Sequence, residues 1–164
     1  MLDNAGFDIP LAELKRVEFL IGESAGRSTL VPPDRSPIQF MSHLTVSREA
    51  CERFFRIEFY AEVPDVGIES VHALLTYSKK QEAYVLWCFM TSKEDPLVLV
   101  GNFHGDTLAL VSGPSEMLWG LQKMRVKFRP LTDGAVDCVA ELWTIDGYTP
   151  YFHATYVSES VNVA

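Results

Sequence analysis

The segment Phe54–Val63, with the sequence FFRIEFYAEV, decides the fold class of this chain. Its apolar residues Phe55, Ile57 and Phe59 continue in alternation to Ala61 and Val63, and mostly polar or charged residues stand between them. Successive side chains of a β-strand point to opposite sides, so a period of two indicates a strand with one buried face and one wet face. The segment therefore predicts a strand that borders a hydrophobic core.

Segments of the same kind fill most of the chain on both sides of this one. The connections between them are short, and they include Asp133 before Gly134 and Asp146 before Gly147. Such pairs favour hairpins because both central residues of a type I′ turn take a positive φ. Short connections also require neighbouring strands to run antiparallel. The further predicted strands are 26–31, 39–47, 69–77, 84–91, 97–104, 107–112, 118–129, 136–144 and 149–157.

An amphipathic segment precedes the strands. Pro10 can occupy a first helical turn, and Leu11, Leu14 and Val17 recur at short helical steps. Gly22 can end the segment as a left-handed cap. The pattern predicts one helix over about residues 10–21.

The number and order of these elements restrict the architecture. About ten strands follow one another without crossover helices, which excludes parallel α/β folds. An open sheet of this size would leave two long edges, and closure into a barrel removes them. The sequence therefore predicts an all-β fold over residues 1–164: a single up-and-down antiparallel β-barrel of about ten strands, between about residues 26 and 157, with one N-terminal helix.

Composition and charge narrow the expected partners. Apolar residues make up 48% of the chain and charged residues 22%, which is ordinary for a globular domain. A formal net charge of −8 repels phosphate backbones and anionic lipid, so we expect neither nucleic acid nor a membrane surface as a partner. The N-terminus lacks a signal-peptide pattern and no apolar run reaches spanning length, so we expect a cytoplasmic location.

The three cysteines do not indicate a metal or disulfide framework. Cys51, Cys88 and Cys138 are widely spaced and form no CxxC pair. Cys88 and Cys138 lie in apolar runs, which is typical of small buried hydrophobic residues.

The entry into the first strand resembles that of the calycin barrels, which include lipocalins, fatty-acid-binding proteins and the heme-binding nitrobindins. Those families open with a Gly-x-Trp pattern, often extended to Gly-x-Trp-x-Gly-x-Gly. Gly22 and Gly26 fit this pattern, whereas Ser24 replaces the tryptophan and Ser28 replaces the last glycine. The resemblance implies a lipocalin-like barrel with an interior that can hold a small ligand.

The resemblance extends to the last strand. The hairpin at residues 77–84 and the ending from Asp146 to Tyr156 resemble a family of bacterial lipocalin-like proteins of unknown function. Nitrobindins place their axial heme histidine on the C-terminal strand, where this chain has His153. The resemblance thus implies heme as an alternative cofactor, because a neutral imidazole flanked by aromatic residues can ligate heme iron. A histidine paired with a neighbouring strand is the simpler interpretation.

Several strand residues are candidates for the ligand-binding wall. His43 and His72 share strand faces with both apolar and polar residues, so each could line a cavity or be exposed. Arg125 shares a face with Lys127 and Arg129, and inward basic residues could pair with a ligand carboxylate. Three buried like charges without partners would be strongly destabilising, which favours a solvated basic face instead. The remaining candidates are Phe55, Ile57, Phe59, Leu75, Leu86 and Trp87.

The sequence from Gly22 to Gly26 also matches G-x-S-x-G, the nucleophile elbow of α/β-hydrolases. That motif needs a strand before the serine and a helix after it. Ser24 has the reverse order, so we predict no hydrolase. No side chain supplies an obvious nucleophile, metal triad or phosphate loop, which favours a protein that binds a small, largely apolar molecule and needs no cofactor.

Two alternatives stay open. One is a nitrobindin-like heme protein that uses His153, and the other is an enzyme that acts on a lipophilic substrate through histidine and glutamate residues of the barrel interior. A further expectation concerns assembly. The predicted strand 84–91 is apolar on both faces, so the helix or a second copy of the chain must cover its outer face, and we favour a homodimer.

Overall fold

Strand β3, the segment whose alternation stands out in the sequence, pairs antiparallel with one strand on each side. The computed structural model describes residues 11–49, 52–117 and 120–159. Within them a 3₁₀ helix, Ala12–Leu20, precedes the strands. The strands in chain order are β1 Gly22–Leu30, β2 Ile38–Glu49, β3 Phe54–Val63, β4 Gly67–Ser78, β5 Ala83–Met90, β6 Leu97–His104, β7 Thr107–Ser112, β8 Ser115–Met117, β9 Gly120–Gln122, β10 Met124–Pro130, β11 Val136–Thr144 and β12 Gly147–Ser158.

Ten of these strands close into a barrel. Their hydrogen-bonded order is β1-β12-β11-β10-β7-β6-β5-β4-β3-β2, and β2 pairs in turn with β1. Every neighbouring pair is antiparallel, and the first and last strands meet with Gly26 opposite Tyr156. The predicted all-β fold, an antiparallel barrel of ten strands with one N-terminal helix, is confirmed.

The prediction of one strand over residues 118–129 is wrong. The chain forms the short hairpin of β8 and β9 before it enters β10, and residues 118 and 119 lie outside the described part. Gly120 has a φ of 101°, which a regular strand does not adopt. Leu121 therefore belongs to the two-stranded sheet, whereas Met124, Val126 and Phe128 belong to the barrel.

The N-terminal helix is shorter than predicted and of the 3₁₀ type. Leu11, Leu14, Val17 and Leu20 follow one another at intervals of three residues, and all four are buried. A 3₁₀ helix has three residues per turn, so side chains three apart align along one side. This spacing gives a single apolar edge in a 3₁₀ helix, whereas in an α-helix it would drift around the surface. The described part of the chain has no helix long and apolar enough to cross a bilayer.

This helix closes one end of the barrel. The hydroxyl of Tyr84 donates a hydrogen bond to the carbonyl oxygen of Glu13 (2.6 Å). Arg16 donates to the carbonyl oxygen of Gly105 (3.2 Å), and its guanidinium lies 4.0 Å from the ring centre of Phe103. Inward residues of the adjoining half barrel pack with the apolar edge of the helix in one core. The turns at the other end, β1–β2, β3–β4 and β5–β6, are not covered by the helix.

Gly101 of β6 provides a test of the packing between strands. A Cβ at this position would overlap the carbonyl oxygen of Ala109 in β7, and backbone cannot move aside as a side chain can. We expect Gly101→Ala to lower the free energy of unfolding by about 1–3 kcal/mol, the usual cost of overpacking. Urea denaturation measures this change.

Gly113→Ala is the matched control. An added Cβ at Gly113 meets no atom within 4 Å, and Gly113 has no positive φ. We expect its urea midpoint to stay unchanged or to rise slightly, since alanine restricts the unfolded chain. Equal midpoints for the two variants would contradict the close approach of β6 and β7.

Candidate ligand-binding cavity

A cavity of about 580 Å³ occupies the half of the barrel away from the helix. Inward residues of the strands form its sides, and residues of the β1–β2, β3–β4 and β5–β6 turns surround its mouth. Small-molecule sites usually measure about 300–1,000 Å³. The cavity is therefore large enough for a small organic ligand.

The five apolar strand residues predicted to line an interior all point inward, at two different depths. Ile57, Phe59 and Leu86 lie in the wall of the cavity. Phe55 and Leu75 are buried but lie outside that wall, in the core shared with the helix. Depth along the barrel thus separates two groups that sequence periodicity cannot distinguish.

Trp87, the sixth of these residues, lies on the outer face of β5. Its neighbours in the chain, Leu86 and Cys88, both line the cavity, so Trp87 points away from it. Directly opposite Trp87 stand Leu74 on β4 and Val98 on β6. Val98 is 41% exposed, so the helix does not cover this apolar face. The homodimer expected on this face stays a prediction.

His43 and His72 also lie on the outer face of the barrel. His43 Nδ1 is 3.5 Å from Glu159 Oε1, and His72 Nδ1 is 3.3 Å from Glu58 Oε1. More than half of each histidine side chain is exposed. Neither histidine contributes to the cavity wall.

His153 has the same outward placement on β12. Its Nε2 lies 2.6 Å from Asp137 Oδ1, and Arg129 donates to the other oxygen of Asp137 (3.3 Å). The side chains of Phe152 and Ala154 point inward on either side of it. His153 is thus not placed to ligate a heme held inside the barrel. Among the described residues, no group of three or more His, Cys, Asp or Glu side chains could hold a metal ion.

Arg125 belongs to an ion-pair cluster on the outside of the barrel. Arg125 and Lys127 both contact the carboxylate of Glu141, and the Lys127 Nζ–Glu141 Oε1 distance is 3.0 Å. Arg125 also lies over the ring of Tyr148, 4.1 Å from its centre. Burial alone would raise the pKa of Glu141, but the hydrogen bonds from the two cations outweigh it and hold the pKa below its usual value.

A β-bulge directs an additional aromatic residue into the cavity. Ala140 pairs with Phe152, but the next residue of β11, Glu141, pairs with Pro150, so β12 holds one extra residue. That residue is Tyr151, and it lines the cavity together with Phe152. Burial raises the pKa of the Tyr151 hydroxyl, which keeps it a neutral donor. Tyr151 is not among the wall residues predicted from the sequence; Pro150 is the available signal, because proline inside a sheet is confined to edges and bulges.

A buried chain of hydroxyl groups lies beside the base of the cavity. Ser28 Oγ is 2.6 Å from Ser42 Oγ, which is 2.8 Å from Tyr156 Oη. A Cβ at Gly26 would lie 3.0 Å from the Tyr156 ring and 2.5 Å from the carbonyl oxygen of Thr155, so only glycine fits this position. Burial raises the pKa of Tyr156, which keeps it neutral. These hydroxyl groups satisfy one another's hydrogen-bonding capacity, and their hydrogen bonds link β12 to β2 across β1.

Ser24, the serine of the G-x-S-x-G match, has a structural hydrogen bond. Its hydroxyl donates to the carbonyl oxygen of Leu44 (3.1 Å) within the sheet. β1 begins at Gly22, so Ser24 lies in a strand and not at a turn into a helix. The motif match is therefore not a nucleophile elbow.

Two cysteine thiols line the cavity as neutral groups. Cys88 of β5 and Cys138 of β11 are both buried. Burial raises the pKa of each thiol to about 12. Because the thiolate is the reactive form, these residues act as small apolar wall groups at neutral pH. Cys51 lies outside the described residues.

Glu69 is the one carboxylate that a strand directs into the cavity wall in the described part of the chain. It follows Gly67 at the start of β4, and Ser92 Oγ donates to its Oε1 (3.0 Å). Burial raises the pKa of Glu69, and hydrogen bonds from Ser92 and Thr91 oppose that rise only in part. Glu69 is not among the residues predicted from the sequence, since its inward orientation depends on the register of β4 with β3.

Comparisons with known proteins support the fold. No protein-family model matches the sequence, and no curated protein matches it significantly. Among solved structures, the crystal structure of Rv2717c from M. tuberculosis matches with a TM-score of 0.68 and 14% sequence identity. The match covers 93% of this chain and 100% of that chain. At this identity the likeness shows a shared barrel fold and assigns neither a family nor a ligand.

The carboxylates of Glu141, which is buried, and Glu69, which is half-buried, are expected to affect stability in opposite ways at pH 7. Glu141→Gln leaves Arg125 and Lys127 without their counter-ion, so we expect the free energy of unfolding to fall by about 1–3 kcal/mol. Glu69→Gln removes a charge that burial disfavours, so we expect the free energy of unfolding to stay the same or to rise. Urea denaturation of the two variants beside the wild type measures both changes.

The pH dependence of these differences follows from the directions of the two pKa shifts. The lowered pKa of Glu141 gives stability that is present above its usual value of 4.5 and is lost as the pH falls through the folded value. The raised pKa of Glu69 carries a cost that is absent below 4.5 and grows as the pH rises to the folded value. Both variants should therefore come closer to the wild type as the pH falls below 4.5, and changes of the same sign at pH 7 would refute the contrast.

Proposed function

We propose that this protein binds a small, largely apolar molecule inside the barrel. The observation that carries the proposal is the cavity of about 580 Å³ in the half of the barrel opposite the helix. Protein interiors are close-packed, and voids larger than a water molecule are few. A space of this size surrounded by apolar side chains is a ready site for an apolar ligand, which would gain the contacts that the wall lacks.

The chemistry of the wall supports an apolar body with a small polar part. The strand residues that face the cavity are aliphatic, aromatic or sulfur-containing over most of its depth, for example Leu44, Val71 and Phe128. Polar groups are few, and Glu69 and the hydroxyl of Tyr151 are among them. A mainly apolar site with a few fixed polar groups is typical of ligand pockets, because the polar groups orient the ligand.

The arrangement of the reactive side chains favours binding over catalysis. His43, His72 and His153 lie on the outer face, where they cannot act on a molecule inside the barrel. The thiols of Cys88 and Cys138 are neutral at physiological pH. In the described part of the cavity wall, neither an imidazole base nor an activated nucleophile is present.

Binding can be measured with a neutral apolar dye such as N-phenyl-1-naphthylamine. We expect saturable fluorescence enhancement with the wild type and displacement of the dye by dodecanol. Ala140 lines the cavity, so Ala140→Phe fills part of it and should weaken dye binding at least about tenfold. Isothermal titration calorimetry with dodecanol provides a second measure.

Ala109→Phe is the matched control, because it adds the same ring to the outer side of β7, between the inward residues Leu108 and Leu110. We expect this variant to bind the dye as the wild type does. If Ala140→Phe does not fold, Phe59→Ala replaces it, since it enlarges the cavity and should change dye affinity and emission maximum together. The absence of saturable binding to the wild type, or equal weakening in the inner and outer phenylalanine variants, would refute the proposal.

A further inference from the structure

The carboxylate of Glu69 is held in a fixed position at the cavity wall. The hydroxyl of Ser92, in the β5–β6 turn, donates to Glu69 Oε1 at 3.0 Å. The same turn is also hydrogen-bonded to β4 at the residues next to this contact. The Ser70 N–H donates to Thr91 Oγ1, and the Thr91 N–H donates to the Ser70 carbonyl oxygen, both at 3.0 Å. The carboxylate therefore has a defined orientation at the cavity wall.

The hydrogen bond that Glu69 receives suits the ionised form of its own side chain. The Ser92 hydroxyl donates to its carboxylate. A carboxylate has about four acceptor positions, so it retains capacity for a further donor from a ligand. No lysine or arginine of the described chain contributes to its environment as an ion-pair partner.

Glu141 is a carboxylate of the same barrel that does have cationic partners, and it can be compared with Glu69. Arg125 and Lys127 both contact Glu141 on the outer face and neutralise its charge. Glu69 is half-buried at the cavity wall, and no lysine or arginine of the described residues is its ion-pair partner. A charge that is partly removed from water is disfavoured unless a counter-ion accompanies it.

The charges around the mouth favour a cation as that counter-ion. Four charged residues of the turns border the cavity: Asp34 and Asp65 are acidic, and Arg35 and Lys93 are basic. These four charges balance, so Glu69 makes the cavity and its mouth negative by one charge. The chain as a whole carries a formal net charge of −8, and such a field attracts cations and repels anions.

We propose that the ligand is a cationic amphiphile: an apolar chain or ring system that carries a protonated amine, with the amine bound to the carboxylate of Glu69. The apolar body lies in the deeper part of the cavity, against residues such as Val71 and Phe59. An ammonium group supplies the donors and the charge that Glu69 lacks, and such charge-assisted hydrogen bonds are stronger than neutral ones. This inference rests on the proposed function, because it specifies the ligand of the same cavity.

The test compares three competitors with the same chain and different head groups. Dodecylamine, dodecanol and dodecanoate displace the neutral dye from the wild-type protein at pH 7, each below its micelle concentration. We expect dodecylamine to bind at least about tenfold more tightly than dodecanol. We expect Glu69→Gln to remove this difference and to leave the affinity for dodecanol unchanged.

Glu62→Gln is the matched control, since it removes the same charge from the exposed side of β3. It should keep the preference for the amine. Failure of all three compounds and of the dye to bind would overturn the proposed function itself. Binding of dodecanol with no preference for the amine, retention of the preference in Glu69→Gln, or a preference for dodecanoate would each overturn the amine assignment while cavity binding stands.

Discussion

The pairing of β1 with β12 is the constraint on which the rest of the structure depends. Ten antiparallel strands in an open sheet would leave two edges with unpaired backbone groups, and this seam removes both. Gly26 allows the ring of Tyr156 to pack against β1. The Tyr156 hydroxyl is hydrogen-bonded to Ser42, which is hydrogen-bonded in turn to Ser28. The seam is thus fixed by backbone pairing and by a satisfied buried polar chain. Only a closed sheet has an interior toward which Glu69 and Tyr151 can point.

The two halves of the barrel differ in what fills them. At one end the 3₁₀ helix inserts an edge of buried leucine and valine side chains, and the adjoining strands form a continuous core. At the other end the interior is a cavity, and a carboxylate is held where burial disfavours its charge. A cavity and a half-buried carboxylate without a cationic partner both reduce stability. The packed half offsets these costs, and for this reason a domain of this size can retain an open half.

Local patterns were sufficient for the fold and insufficient for the site. Alternation and turn residues depend on neighbours in the chain, and they predicted the ten-stranded barrel with β3 at its exact bounds of Phe54–Val63. The side of the barrel that a residue faces depends on register, and a shift by one residue reverses it. Trp87 and His153 are accordingly on the outside, and Glu69 on the inside, for reasons that lie in the strands beside them. The bulge at Tyr151 is likewise a property of a strand pair.

Because of that bulge, the residues that line the cavity near its mouth depend on the number of residues in β12 as well as on their types. Pro150 pairs with outward Glu141 and Phe152 pairs with inward Ala140, so the bulge adds Tyr151 between them without changing the side that either neighbour faces. Loss of a single codon at Tyr151 would restore regular alternation and remove one aromatic ring from the cavity wall, while the pairing of β12 with β11 on both sides of the bulge is kept. Tyr148, which packs outside beneath Arg125 and opposite Trp143, would keep its orientation. In a closed barrel of this kind, small insertions and deletions near the mouth are therefore a direct evolutionary route to a new ligand, because the packed end of the barrel is left untouched.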